Sequence, residues 1–176
     1  MMKVILHPGK EEYQDLLMRP HKDAADLGAI VASVLNDVRL EGDKAVLRYE
    51  AMYDKVELPS LEVSDKEILE AESLVSEELK QSIKLAHDNI YRFHEAQRMQ
   101  PVRVETAPGV HCWQKSVAIE KVGLYIPGGT APLFSTVLML ATPARIAGCT
   151  DIVLCSPPSR DGKLHPAILY AAKIAG

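Results

Sequence analysis

The sequence predicts an α/β fold, in which a helical N-terminal region with a β-hairpin precedes the beginning of a parallel sheet with crossover helices. Two observations predict it. Apolar residues recur with helical spacing through most of the stretch from Ala24 to about Met99, and the spacing changes to alternation from Val102. From Lys121 onwards, short apolar runs alternate with helical segments, an order typical of parallel sheets.

The N-terminal region begins with residues 1–22, which show little hydrophobic periodicity and are expected to form an arm. From Ala24 to Glu41, apolar residues fall at i, i+3, i+4, i+7 and i+8, which is the pattern of an amphipathic helix. Gly42 is expected to end this helix, and a second, shorter helix is predicted over about 43–53.

Two further helices are predicted from the residues at their starts. Ser64 and Glu67 have the spacing of a capping box, which predicts a helix over about 65–73. Ser76 is expected to begin another helix that reaches about Met99, with acidic residues at its positive end.

A β-hairpin is predicted after these helices. Val102, Val104 and Thr106 alternate with charged residues, as expected of a strand with one polar face. The dipeptide 108–109, Pro-Gly, has the composition of a type II turn and precedes a second strand over about 110–117.

A buried strand over 122–126 begins the next region, because it is a continuous apolar run. The loop after it opens with Pro127, Gly128 and Gly129, which together are named the glycine loop. A helical segment is expected to follow from about Leu133.

This segment is predicted to consist of two pieces. Thr142 and Pro143 look like the N-cap and first residue of a fresh helix, which Gly148 would end. A second buried strand over 152–155 and an Ala-rich helix over 166–176 complete the order β-α-β-α.

Three regions are expected from these elements: an arm over 1–22, the N-terminal part of a first α/β domain over 23–120, and the beginning of a Rossmann-like domain over 121–176. Two parallel strands do not complete a doubly wound sheet. We therefore expect the chain to be the front part of a longer protein. The alternative is that its last helix is a C-terminal helix packed on a small sheet.

Composition excludes several partners. The formal net charge is -4, with 20 basic against 24 acidic residues, so nucleic acid is not an expected partner. The apolar run over 4–6 is too short for a signal peptide, and Pro and Gly interrupt the uncharged stretch over 122–144, so we expect a cytoplasmic protein without a membrane segment. The cysteines are expected to be reduced and mostly buried: Cys112, Cys149 and Cys155.

The glycine loop is the strongest candidate for a ligand site. Adjacent glycines at the carboxyl end of a parallel strand allow close approach of a ligand, and the next helix offers free N–H groups to an anion. Tyr125 is expected to line an open concavity there, and Ser135 could bond a phosphate. The pattern is neither G-x-G-x-x-G nor a P-loop, so a plain strand-to-helix turn is an equal alternative.

Other chemistry finds little support in the sequence. No two of the six histidines have the i, i+4 spacing of metal ligands on one helix, and His94-Glu95 lacks the second histidine of H-E-x-x-H. No G-x-S-x-G elbow occurs, and paired carboxylates fall on arms or helix faces. We therefore expect no catalytic residue and no metal ligand in this chain.

Several longer motifs resemble those of a known family. The run over 122–149, continued by 152–158, resembles histidinol dehydrogenases, and so do Leu16–Pro20, Gly42–Ala45 and Pro108–Val110. The resemblance implies an enzyme that oxidises L-histidinol through L-histidinal to L-histidine with two NAD and a zinc ion, as a homodimer. It also implies that 121–176 begins the NAD-binding domain, with these residues at the cofactor: Tyr125, Pro127, Gly128, Gly129 and Ser135.

In that family the catalytic Glu-His pair and the zinc ligands come from sequence farther downstream. We therefore expect the 176-residue chain alone to lack dehydrogenase activity. Two alternatives stay open: a stand-alone α/β binding or interaction module without catalysis, and another NAD(P)-dependent dehydrogenase of related architecture, such as an aldehyde dehydrogenase-like protein.

Overall fold

Residues 4–19, 25–129 and 131–176 are described by the structure, which is a computed structural model. The chain divides after Gly42 into two compact units, Met1–Gly42 and Asp43–Gly176. The domain boundaries expected from the sequence, after residues 22 and 120, stay predictions.

The described part of the first unit is helical. A 3-10 turn, Lys10–Glu12, leads into the short helix α1, Tyr13–Leu17, which periodicity does not predict within the expected arm. Helix α2 spans Ala25–Glu41 and ends before Gly42, as predicted, whereas its predicted first residue, Ala24, lies outside the described residues. Much of its apolar stripe is more than half exposed: Leu27, Ile30, Val31 and Leu35.

The second unit begins with helices. Helix α3, Asp43–Tyr49, passes into a π-helical turn, Glu50–Asp54. Helix α4 spans Asp65–Leu74 and helix α5 spans Glu77–Glu95, so α5 ends four residues before the predicted Met99.

The predicted capping box at the start of α4 is confirmed. The Ser64 hydroxyl accepts the Glu67 N–H at 3.3 Å, and the Glu67 carboxylate accepts the Ser64 N–H at 2.9 Å. Ser76 caps α5 in the same manner, because its hydroxyl accepts the Leu79 N–H at 3.3 Å. Both caps satisfy N–H groups that a helix start leaves without an intrahelical acceptor.

The predicted β-hairpin is present. Strand β1, Val102–Ala107, pairs antiparallel with β2, Val110–Gln114, which is shorter than the sequence predicts. Gly109 has φ +78°, the conformation that the third position of a type II turn requires. The Glu105 carboxylate accepts the Gly109 N–H at 2.8 Å and closes the turn.

The predicted order β-α-β-α follows the hairpin. Strand β3, Lys121–Tyr125, pairs parallel with β4, Asp151–Cys155, and the crossover between them contains helix α6, Phe134–Ala147. Helix α7, Pro166–Ala175, follows β4. These four elements make the fold α/β, as predicted.

The prediction that both strands are buried is wrong. Along β3 and β4, half-buried and exposed residues alternate. Leu124 and Leu154 pack against the core beneath the helices, whereas Tyr125 and Val153 are 63% and 56% exposed. The described elements therefore cover one face of this sheet, and a run of apolar letters does not reveal whether one face or both are covered.

The predicted break at Thr142 and Pro143 is also wrong, because α6 runs through both residues. Pro143 has no N–H to donate to the Met139 carbonyl, which normally disfavours a mid-helix proline. The helix continues because its inner face is held in the core, where Val137 and Leu138 are fully buried.

One hydrophobic core joins α5, α6, α7 and the end of β3. Its largest fully buried side chains include Ile83, Ile126 and Leu138. Apolar burial of this kind is the main source of stability in a small fold. The remaining buried members of the core are Val75, Val137, Ala141, Ala167, Ile168, Tyr170, Ala171 and Ala175.

The burial predicted for the cysteines is correct at Cys149 only. All three thiols are free; Cys149 is buried, but Cys112 and Cys155 are exposed because they lie on strands with uncovered faces.

None of the helices in the described part of the chain combines the length and apolar character needed to cross a bilayer.

Stability is expected to fall on acidification because two half-buried glutamates bind donors in the folded state. A hydrogen bond from the Lys173 ammonium, 2.6 Å from the Glu72 carboxylate, lowers the pKa of Glu72 below 4.5, and the Ser64 N–H lowers the pKa of Glu67. A lowered folded-state pKa gives stability that is present above 4.5 and lost as the pH falls through the folded value.

The measurement is the thermal midpoint of unfolding, determined over a range of pH values. Glu72→Gln should lower the midpoint at neutral pH, and the difference from the unsubstituted chain should shrink in acid. Adding Lys173→Met to Glu72→Gln should not lower the thermal midpoint further, because both substitutions remove the same contact between α4 and α7. An equal deficit at every pH would contradict this expectation.

Thr142→Val is expected to stabilise the fold by about 1 kcal/mol, because a buried hydroxyl without a partner costs desolvation energy. Thr142 is 1% exposed, and the described residues supply no hydrogen-bond partner for its Oγ1. Thr150→Val is the control, because the Thr150 hydroxyl donates to the Glu120 carbonyl at 3.3 Å. Removing this hydroxyl should therefore not stabilise the fold. Urea unfolding measures both, and a loss of stability in Thr142→Val would contradict the expectation.

Candidate functional site

The carboxyl end of the parallel strand pair brings two loops together. Tyr125 and Cys155 are the last residues of β3 and β4 and lie opposite each other. The Ile126 N–H then donates to the Cys155 carbonyl at 2.8 Å, which extends the pairing by one residue. The glycine loop and the segment after β4 therefore leave the sheet side by side.

Tyr125 lies on the sheet face that the described helices leave open. Its side chain is 63% exposed, so the ring is accessible and is not part of the closed core. An accessible aromatic ring at this edge can stack on a flat ligand. The concavity expected around Tyr125 stays a prediction.

The two glycines of the loop differ in their surroundings. A Cβ atom added to Gly128 would lie 2.7 Å from Cγ of Pro157, which is too close for any side chain. A Cβ added to Gly129 would meet no atom of the described residues within 4 Å. The fold therefore requires glycine at 128, whereas at 129 the absence of a side chain leaves open space beside the strand end.

Helix α6 begins close behind this loop in sequence. Its N-cap residue, Leu133, provides no side-chain hydrogen bond, and Ser135 in the first turn is exposed. Uncapped N–H groups and the positive end of a 14-residue helix favour a negatively charged ligand. The Ser135 hydroxyl adds a donor of the kind that phosphate oxygens accept.

No Asp, Glu, Lys or Arg occurs between Tyr125 and Ser135 in the sequence. Within this stretch, backbone N–H groups and hydroxyls are therefore the groups that could donate to a ligand. The nearest charged pair on the strands, Lys121 with Asp151 at 3.4 Å, lies at their amino ends.

The residues predicted from the sequence lie in consecutive parts of the chain: Tyr125 at a strand end, Pro127, Gly128 and Gly129 in the loop, and Ser135 in the next helix. Sequence reasoning missed Pro157. Its contact with Gly128 joins residues distant in sequence, and no local pattern signals it.

Sequence reasoning also missed a cavity of about 870 Å³ next to residues that precede β3 and β4. Its walls come from the end of α5, the segments flanking the hairpin and the second half of α6, and they include Val117 and Ile119, both more than two-thirds exposed. None of the predicted site residues lines it. The sequence signal that could have indicated it is the presence of apolar residues in the segment between β2 and β3.

Metal binding finds no support in the described residues, which bring no group of three or more His, Cys, Asp or Glu side chains together. A zinc site normally needs three or four such ligands. The described residues therefore do not fit a zinc ion.

Comparison with known proteins connects this geometry to a family. A family model described as histidinol dehydrogenase matches residues 17–176. The chain is 60% identical over 176 residues to histidinol dehydrogenase from Bacteroides thetaiotaomicron, covering all of this chain and 41% of the relative. It is 50% identical over 167 residues to histidinol dehydrogenase from Escherichia coli, covering 94% and 38%.

A solved structure shows the same fold. The crystal structure of histidinol dehydrogenase from Elizabethkingia anophelis superposes with a TM-score of 0.90 at 47% identity, covering 96% of this chain and 39% of that chain. The chain spans about two fifths of the length of the relatives it matches.

Proposed function

Because the chain belongs to the histidinol dehydrogenase family, we propose that it provides the NAD-binding sheet edge of an enzyme that oxidises L-histidinol through L-histidinal to L-histidine. The observation that carries this proposal is the accessible Tyr125 ring beside a glycine loop at the carboxyl end of a parallel strand pair. Open α/β sheets bind nucleotides at that edge. The family match also favours this activity over an aldehyde dehydrogenase-like one and over a module without catalysis.

Four of the five predicted residues contact or shape the ligand site directly in this proposal. The Tyr125 ring stacks on a flat ring of the dinucleotide, and Pro127 gives the chain its rigid exit from the strand. Gly129 leaves space for the pyrophosphate, and Ser135 donates to one of its oxygens. NAD, when bound, supplies the hydride acceptor for the alcohol carbon.

The zinc chemistry of the proposed enzyme is assigned to residues outside the described ones. Zinc belongs to the proposed whole enzyme, but the described residues offer no ligand set for it, so no step is derived through the metal. The proposal also includes a cytoplasmic homodimer. Support for assembly comes from the exposed apolar side chains of the hairpin and its flanks, which include Val104, Trp113 and Val117.

Gly129→Ala tests this function. The added methyl group meets no protein atom within 4 Å, and the backbone at 129 is not left-handed, so the free energy of unfolding should stay within about 0.5 kcal/mol. The methyl group would occupy the space assigned to the pyrophosphate, so NAD⁺ should bind about tenfold more weakly in isothermal titration calorimetry.

Gly28→Ala is the matched control, because it also adds a methyl group into open space, but on helix α2. It should leave NAD⁺ binding unchanged. Equal NAD⁺ affinity in Gly129→Ala and the unsubstituted chain would argue against a ligand at this loop.

A further inference from the structure

We propose that Pro157 is a positioning residue for the cofactor site: its ring fills the space beside Gly128 and thereby fixes the glycine loop in the conformation that receives the NAD pyrophosphate. This inference rests on the proposed function. It adds a residue from the loop after β4 to a site otherwise built from β3, the glycine loop and α6.

The sheet places the glycine loop and the segment after β4 at the same end of two adjacent strands. Tyr125 pairs with Cys155, and the Ile126 N–H bonds the Cys155 carbonyl, so both chains leave the sheet from adjacent, hydrogen-bonded positions. Gly128 follows Tyr125 by three residues and Pro157 follows Cys155 by two. Their contact is therefore a direct consequence of the strand register.

The contact is steric and specific to one atom. A Cβ atom placed on Gly128 with ideal geometry would lie 2.7 Å from Cγ of Pro157, but 3.7 and 3.8 Å from its Cβ and Cδ, which are ordinary contact distances. The backbone of Gly128 is not left-handed, so an L-residue could adopt its conformation. The Cγ atom of Pro157 alone therefore excludes a side chain at 128.

Proline suits this role because its ring is joined to its own backbone and cannot rotate away. A flexible side chain at 157 would yield to a methyl group at 128 at little cost, whereas the proline ring moves only with its backbone. Pro157 is also half-buried, which restricts that movement. The position of the glycine loop is thus coupled to the backbone that follows β4.

The test is a double-substitution cycle in the 176-residue chain, with two readouts. One is the NAD⁺ dissociation constant, and the other is the ¹H–¹⁵N amide shift of Gly129, which reports the loop without ligand. Gly128→Ala should weaken NAD⁺ binding about tenfold and move the Gly129 signal, because overpacking displaces the loop. Pro157→Ala should weaken binding by about threefold, because the loop loses its support.

The double variant Gly128→Ala/Pro157→Ala should recover affinity to within about twofold and return the Gly129 signal towards its original position, since the new methyl group occupies the space that Cγ vacates. Pro158→Ala is the control for proline loss, because no Pro158 atom is among the three nearest to the added Cβ. It should not rescue Gly128→Ala.

Additive losses in the double variant would overturn the proposal, as would equal rescue by Pro158→Ala. If Gly128→Ala does not fold, recovery of folding in the double variant supports the proposal and its absence overturns it. If the unsubstituted chain binds no NAD⁺, the proposed function fails, whereas the Gly129 amide signals still decide whether Pro157 positions the loop.

Discussion

Leu138→Ala is expected to lower the free energy of unfolding by about 3 kcal/mol, because it removes a fully buried side chain from the centre of the core. Leu138 lies on α6, which packs against both α5 and α7. A cavity at this position removes apolar contacts from the core that these helices share, and a packed interior recovers little of that loss.

Met139→Ala is the matched control on the same helix. Met139 is 59% exposed, so its truncation should change stability by no more than about 0.5 kcal/mol. Urea unfolding followed by far-ultraviolet circular dichroism measures both variants. Similar losses in the two variants would show that α6 does not present Leu138 to the core as described.

Tyr125→Ala is expected to weaken NAD⁺ binding about tenfold while leaving the fold intact. The affinity falls because the substitution removes the ring that stacks on the cofactor. Stability is preserved because the side chain is 63% exposed and is not a member of the buried core. Calorimetric titration with NAD⁺ and thermal unfolding of the same samples separate the two effects.

Tyr125→Phe distinguishes the ring from its hydroxyl. Stacking predicts that phenylalanine keeps the affinity within about twofold of tyrosine. A Tyr125→Phe variant as weak as Tyr125→Ala would assign the contact to the hydroxyl, and unchanged binding in both variants would remove Tyr125 from the site.

Much of the fold could be predicted because its signals are local. The Ser64 capping box and the Pro108-Gly109 turn depend on residues within four positions of each other, and both appear as expected. The continuous helix through Pro143 could not be predicted, because distant core contacts override a local preference against proline. The exposed faces of β3 and β4 depend on which elements pack beside them.

In the candidate site, too, local sequence signals predict one part and contacts between distant residues determine the rest. Adjacent glycines after an apolar run predict a loop at a strand end, and β3 ends at Tyr125, one residue before the predicted end at Ile126. The different surroundings of Gly128 and Gly129 could not be predicted, because they depend on the contact with Pro157. That contact exists only after the register between the two strands is set.

The most direct test of NAD binding at the glycine loop is an NAD⁺ titration of the 176-residue chain followed by ¹H–¹⁵N NMR. We expect saturable shifts at the amides of Tyr125, Gly128, Gly129 and Ser135, with little change at Arg98 and Ile119 beside the large cavity. Saturable shifts at Arg98 and Ile119 with none at the glycine loop, or no saturable shifts at all, would contradict binding at this edge of the sheet.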